Sequence, residues 1–93
     1  MPDRDEGVFA ISVAAEMASM QIQNLRVYER RGLVAPDRTS GGTRLYSEDD
    51  VDRLRRIGAL LAAGLNLAGI AAVLALEAEN ERLRAQIARL KKR

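Results

Sequence analysis

The side chains best equipped for recognition chemistry fall between positions 23 and 31: Gln23, Asn24, Arg26, Arg30 and Arg31. A carboxamide sets a donor beside an acceptor, which matches an adenine edge. A guanidinium fork matches a guanine edge or a phosphate. Val27, among them, is small and apolar enough to meet a thymine methyl. A good bidentate contact of this kind is worth about 1–3 kcal/mol of discrimination between bases. The plain alternative is a polar helix face that meets only water. Further on, Arg38, Thr39, Arg44 and Tyr46 surround Ser40-Gly41-Gly42. Guanidinium, hydroxyl and phenol groups there suit phosphates, and such contacts fix orientation rather than sequence. The plain alternative is a hairpin with Tyr46 partly in the core, and Tyr46 can do both jobs.

The charge pattern agrees with that chemistry. Residues 1–20 set Arg4 against Asp3, Asp5, Glu6 and Glu16, while residues 21–46 set Arg26, Arg30, Arg31, Arg38 and Arg44 against Glu29 and Asp37. The net charge of +2 hides this basic stretch.

Other chemistry is shut out by composition. The 93 residues include neither cysteine nor histidine. That removes disulfides, thiolate zinc sites, iron–sulfur clusters and every Cys–His or Ser–His catalytic pair. No carboxylate cluster has metal-ligand spacing, so neither metal nor cofactor is expected. The acids of Ser47-Glu48-Asp49-Asp50 read as helix capping rather than as a catalytic pair, because neighbouring residues on a helix do not converge on one face. An enzyme is therefore not expected. No apolar stretch approaches a membrane span or a signal segment. The expected setting is soluble and cytoplasmic, with no membrane partner. Apolar residues make up 47% and aromatics 3%, so the core must be aliphatic.

The elements that must position these groups can be read from caps, glycines and periodicity. Residues 1–8 form a polar, flexible tail. Phe9 and Ile11 suit a short extended segment, and Ser12 then caps a helix through Val13, Ala14, Met17 and Ala18. Ala18-Ser19-Met20-Gln21 reads as a tight turn. A second helix over 22–31 turns Ile22, Leu25 and Tyr28 inward and stops at Gly32. Two short helices so joined have the geometry of a helix-turn-helix. Residues 33–47 read as a hairpin with Ser40-Gly41-Gly42 at its tip. Ser47, with Asp50 three residues on, caps a third helix whose buried stripe is Val51, Leu54, Ile57 or Gly58, and Leu61. Gly64 ends it.

Asn66 can cap a fourth helix that runs towards Arg93 or bends near Ala75. Val73, Asn80 and Ile87 form one set of heptad core positions and Leu76, Leu83 and Leu90 the other. Glu77, Glu79, Arg84 and Lys91 flank this seam. The pattern suits a homodimer through a coiled coil, against a single helix folded back on its own domain. Asn80 would weaken the coil while fixing its register.

Three runs carry a family likeness: Leu25-Arg26-x-Tyr28-Glu29-x-x-Gly32-Leu33-Val34-x-Pro36-x-Arg38, then Arg44-x-Tyr46-Ser47, then Val51-x-x-Leu54-x-x-Ile57. With Gly64-Leu65-Asn66-Leu67-Ala68-Gly69-Ile70 they resemble, in order and spacing, the MerR family of bacterial transcription regulators. Ile11-Ser12-Val13-Ala14-Ala15-Glu16 and Arg38-Thr39-Ser40-Gly41-Gly42 are most similar to the heat-shock repressors of actinobacteria, the HspR-type branch.

The resemblance implies a mainly α fold: a winged helix-turn-helix over residues 9–74 and a dimerisation helix over 75–93, paired as an antiparallel coiled coil. It implies double-stranded DNA as partner and an inverted-repeat operator, with the second helix in the major groove. Carried over by position, Arg26 and Tyr28 are recognition-helix contacts. Arg38, Arg44 and Tyr46 are wing contacts, and Arg55 or Arg56 meets the phosphate backbone. It also implies a DnaK-like chaperone as co-repressor. Asn24, Gln21 and Val27 depart from residues common in the family, at positions where base preference is set. The implied function is a dimeric repressor of stress and chaperone genes. The alternatives are an architectural protein of the excisionase or head-to-tail type, an activator that distorts its promoter, or a coiled-coil protein-binding module.

Overall fold

The computed structural model describes residues 2–92. Over them the chain forms α1 (Ile11–Met17), α2 (Ile22–Arg30), β1 (Asp37–Arg38), β2 (Arg44–Leu45), α3 (Glu48–Ala62) and α4 (Leu67–Lys91) in that order. The two strands pair antiparallel, Asp37 opposite Leu45 and Arg38 opposite Arg44. Phe9 extends this sheet by one bridge to Tyr46, whose N–H donates to the Phe9 carbonyl at 2.7 Å.

That bridge explains the start of α1. Phe9 is held extended, Ala10 makes the turn, and the helix begins at Ile11 with Ala10 as its cap and no side-chain capping bond. The expectation that Ser12 caps α1 is thus corrected: Ser12 lies inside its first turn. Between α1 and α2 the chain reverses through Ser19, which takes the left-handed conformation at φ 56°. The Met20 N–H returns to the Ala15 carbonyl at 2.9 Å. After α2, Gly32 takes φ 73°, and the Leu33 N–H closes on the Tyr28 carbonyl at 2.8 Å. This is a glycine-dependent helix stop, since a side chain disfavours that φ.

A capping box opens α3. The Ser47 hydroxyl accepts from the Asp50 N–H at 3.0 Å, and the Ser47 N–H donates to the Asp50 carboxylate at 2.9 Å. Glu48, Asp49 and Asp50 lie in the first turn, where the helix dipole favours negative charge. The helix buries Val51, Leu54, Ile57 and Leu60, not the expected Leu61, which is 37% exposed. Gly64 sends the chain back at φ 96°, and Ile70 and Leu74 of α4 join the core on the Leu60 side. The Asn66 side chain caps α4 by accepting from the Gly69 N–H at 2.7 Å.

From there α4 runs 25 residues without a break at Ala75. Leu74 is its last buried residue, and every position from 75 to 92 is exposed. The core gathers Leu25, Tyr28, Tyr46, Val51, Leu54, Ile57 and Ile70 with the small Ala14 and Ala15. The tail lies along the domain. Arg4 reaches Asp49 at 3.2 Å and also pairs with Asp52, and the Asp49 N–H donates to the Arg4 carbonyl at 3.0 Å. Gly7 passes so close to the hairpin that a Cβ there would stand 2.5 Å from the Leu45 carbonyl oxygen.

Ser47→Ala removes the hydroxyl half of the capping box, and helix-cap losses of this type cost about 1 kcal/mol. We expect that drop from urea unfolding followed by circular dichroism. An unchanged midpoint would show that the box does not hold α3.

Candidate nucleic-acid interface

Leu25 and Tyr28 pin α2 to the core at 0% and 6% exposure. Ile22 and Val27 are half-buried beside them. This leaves Gln23, Asn24, Arg26, Arg30 and Arg31 exposed. Arg26 Nη1 donates to the side-chain Oε1 of Gln23 at 3.3 Å, one turn back. Among the described residues Arg26, Arg30 and Arg31 form no ion pair, and all three are exposed to solvent.

The hairpin stands beside α2 because Glu29 ties the two together. One carboxylate oxygen accepts from Arg44 Nε at 2.5 Å and the other from Arg38 Nη2 at 2.8 Å. Arg38 Nη1 also donates to the Gly42 carbonyl at 2.9 Å, across the tip. The Thr39 hydroxyl accepts from the Thr43 N–H at 3.1 Å, and Gly42 takes φ 85° to close the turn. Burial alone would raise the Glu29 pKa, but the hydrogen bonds from Arg44 and Arg38 reverse that and hold it below the usual carboxylate range.

The expected contacts therefore separate into groups. Gln23, Asn24, Arg26 and Arg30 share the exposed face of α2. Val27 sits among them, half-covered. Tyr28 points into the core. Arg38 and Thr39 are exposed on the wing, and Arg44 is half-buried against Glu29. Tyr46, expected on the wing surface, is instead fully buried, and its hydroxyl finds no partner among the described residues. Its backbone is bridged to Phe9 of the N-terminal arm. Burial pushes the phenols of Tyr28 and Tyr46 up.

On α3, Arg55 donates to the Met17 carbonyl at 3.1 and 3.3 Å, at the end of α1, and Arg56 pairs with Glu77 of α4 at 2.6 Å. Both side chains remain about half exposed while they join elements. Sequence reasoning missed two members of this set. Glu29 was visible as one of only two acids in a run of arginines. Arg53, which donates to the Leu33 carbonyl, carried no such signal.

On α4, Leu76, Leu83, Ile87 and Leu90 are 44–68% exposed, and Asn80 is exposed with them. Val73 is half-covered by its own domain and lines an open groove with Leu76, Glu77 and Asn80. No group of three acidic side chains with metal-binding geometry occurs among the described residues, and none of their helices is long and apolar enough to cross a membrane.

A profile described as MerR HTH family regulatory protein matches residues 9–77. A Streptomyces coelicolor protein carrying the name heat shock protein HspR is 45% identical over 87 residues, 92% of this chain and 58% of its own length. The HTH-type transcriptional regulator GlnR of Bacillus anthracis is 41% identical over 78 residues, 84% of this chain and 60% of its own length. The chain thus spans 58–60% of the length of these curated relatives. Among solved structures, the transcription regulator PbrR691 of Ralstonia metallidurans CH34, in complex with lead(II), superposes with a TM-score of 0.72. It does so over 91% of this chain and 73% of that one, at 29% identity.

The depressed pKa of Glu29 makes stability depend on acid. The ionised form is favoured by folding, so its contribution is present above the ordinary value of 4.5 and is lost as pH falls through the lower folded value. Glu77, lowered by its hydrogen bond from Arg56, acts in the same sense more weakly, being exposed. Urea midpoints should show Glu29→Gln less stable than wild type at neutral pH, with the gap closing in acid. A gap that stays constant as the pH is lowered would show that ionisation of Glu29 does not matter.

Proposed function

The chain belongs to the MerR HTH family of regulatory proteins, and we propose that it is a dimeric, sequence-specific DNA-binding repressor of stress and chaperone genes. The observation that carries DNA binding is the exposed face of α2. Two amides and three arginines without ion pairs lie on a rigidly packed helix, and a basic hairpin is clamped beside it. Such a helix fits the major groove, and the hairpin tip reaches adjacent phosphates. Gln23, Asn24, Arg26 and Arg30 read bases, with Val27 among them. Arg38 and Thr39 meet phosphates. Arg56, held to Glu77 through Nε and Nη2, offers Nη1 to the phosphate backbone, whereas Arg55 must give up its 3.5 Å pairing with Asp52 to do the same.

Residues 9–74 act as the DNA-binding unit and 75–93 as the dimerisation helix. The apolar stripe Leu76, Leu83, Ile87 and Leu90 is left exposed among the described residues. Burying one such side chain contributes about 1.5–3 kcal/mol, so a second copy gains much by covering it. Charge favours the antiparallel arrangement. Glu77, Glu79 and Glu81 lie near the domain, while Arg84, Arg89, Lys91 and Lys92 lie towards the far end. Antiparallel helices set acid against base; parallel helices set like against like.

The repressor role, the chaperone targets and a DnaK-like co-repressor rest on likeness to the Streptomyces heat shock protein. The place of action would be the cytoplasm, where bacterial DNA lies.

Binding to duplexes from the upstream region of the protein's own gene, against scrambled duplexes over a range of salt, tests this reading. Arg26→Ala should cost about 1–3 kcal/mol on the cognate duplex and little on the scrambled one. No binding even at low salt would overturn the DNA reading, because phosphate contacts alone give about 10⁻⁴–10⁻⁶ M at physiological salt. In sedimentation equilibrium the wild type should weigh as a dimer and Leu83→Asp as a monomer. A wild-type mass that stays monomeric at all concentrations would favour a head-to-tail architectural protein.

A further inference from the structure

Nothing in the α2 arginines explains why the wing should carry a carboxylate partner at all. Glu29 projects from the last turn of α2 and binds one arginine from each strand of the hairpin. Those arginines are register partners, Arg38 directly opposite Arg44. Like charges so placed repel across a strand pair. The hairpin has two residues in each strand, and so short a ladder does not hold an orientation by itself. The carboxylate removes the repulsion and supplies the missing tie to the helix.

Its surroundings make that tie durable. The Glu29 side chain is 18% exposed and that of Arg44 27%, so salt screens their pairing little. Arg38 is 47% exposed and already spends one nitrogen on Gly42. The three groups together carry one net positive charge, and Arg38 is the member that can present it outward.

We propose that Glu29 is the specificity-setting positioning residue of this interface: it fixes the wing against α2 and withholds Arg44 from phosphates. The inference rests on the DNA-binding reading above. Phosphate contacts are the source of non-specific affinity, and specificity is the ratio of specific to non-specific binding. A carboxylate that occupies one guanidinium lowers the non-specific side. By holding the wing's angle it keeps the side chains of α2 in register with base edges, which raises the specific side.

The test compares wild type, Glu29→Gln and Glu29→Asp on two probes: a duplex selected by the wild type from a random pool, and a scrambled duplex. Glu29→Gln frees a charge. Its binding to the scrambled duplex should strengthen, and a fourfold rise in salt should cost it about three- to fourfold more affinity per protomer than wild type, as expected for one added phosphate contact. Its preference for the selected duplex should fall. Glu29→Asp keeps the charge but is one methylene too short to span both arginines. Its salt dependence should match wild type while its preference falls. A purely structural role would not steepen the salt dependence of Glu29→Gln. Should Glu29→Gln fail to fold by circular dichroism, Glu29→Asp still decides the positioning claim. Wild-type preference in Glu29→Asp, or an unchanged salt dependence in folded Glu29→Gln, would overturn the proposal while the DNA reading stands. A wild type that enriches no duplex would overturn both.

Discussion

The backbone pairing of Phe9 with Tyr46 is the contact on which the other parts of the domain converge. Tyr46 follows β2 directly and precedes Ser47, the cap of α3. Its N–H and carbonyl both bond the N-terminal arm, and its ring fills the centre of the core. One residue thereby joins the arm, the wing and the third helix. With the wing anchored at that end, its other freedom is rotation towards or away from α2, and Glu29 removes it. The ring needs this burial because the chain owns few aromatics. The cost is a phenol oxygen without a partner among the described residues, a penalty of about 1–3 kcal/mol for a buried group of this kind.

Arginine does two kinds of work in this chain, and exposure alone does not separate them. Arg53, Arg55 and Arg56 leave α3 in three directions, to the Leu33 carbonyl, the Met17 carbonyl and Glu77. All three remain exposed while they tie α3 to its neighbours. Arg38 and Arg44 are tied to α2. Among the described residues Arg26, Arg30 and Arg31 have no anionic partner. In a domain this small, with little apolar area to bury, guanidinium forks that bond carbonyls replace part of the packing a larger core would provide. The same preference for arginine over lysine then supplies the recognition face.

The order of the elements was legible in the sequence because local signals set it. Gly32, Gly64, Ser47 and Asn66 mark helix ends through backbone chemistry that needs no knowledge of the fold. The hairpin tip at Ser40-Gly41-Gly42 is of the same type. What escaped was decided by contacts between distant residues. Ser12 looked like a cap, but the bridge from Phe9 to Tyr46 started the helix earlier. Leu61 fitted the helical period, yet the side from which α4 returns made Leu60 the buried residue. Tyr46 could be read as a wing contact, as core or as both, and nothing local decides for full burial. The recognition face of α2 was legible from spacing. Glu29 was legible only as a charge out of place, and its two partners required the register of the hairpin.

The unbroken course of α4 turns these local facts into a constraint on the whole assembly. No glycine, proline or bend separates Leu74, packed in the core, from the exposed leucines beyond it. The Arg56–Glu77 pair fixes the helix to α3 just where it leaves the domain. A rigid helix so clamped cannot pair with a second copy without also setting the angle between the two domains. In the antiparallel pairing proposed, the seam matches Val73 with Leu90, Leu76 with Ile87 and Asn80 with Leu83. The twofold axis then passes between positions 81 and 82. Each Leu74 lies between seven and eight residues from that axis, so at 1.5 Å per residue the two domains leave the coil about 22 Å apart along it. Centres of half-sites in successive major grooves lie about 34–36 Å apart. The width of the domains themselves supplies the difference, because α2 lies to the side of α4 and not on its axis. The heptad therefore does more than hold two chains together: through a helix that does not bend, it sets where two recognition faces meet one duplex.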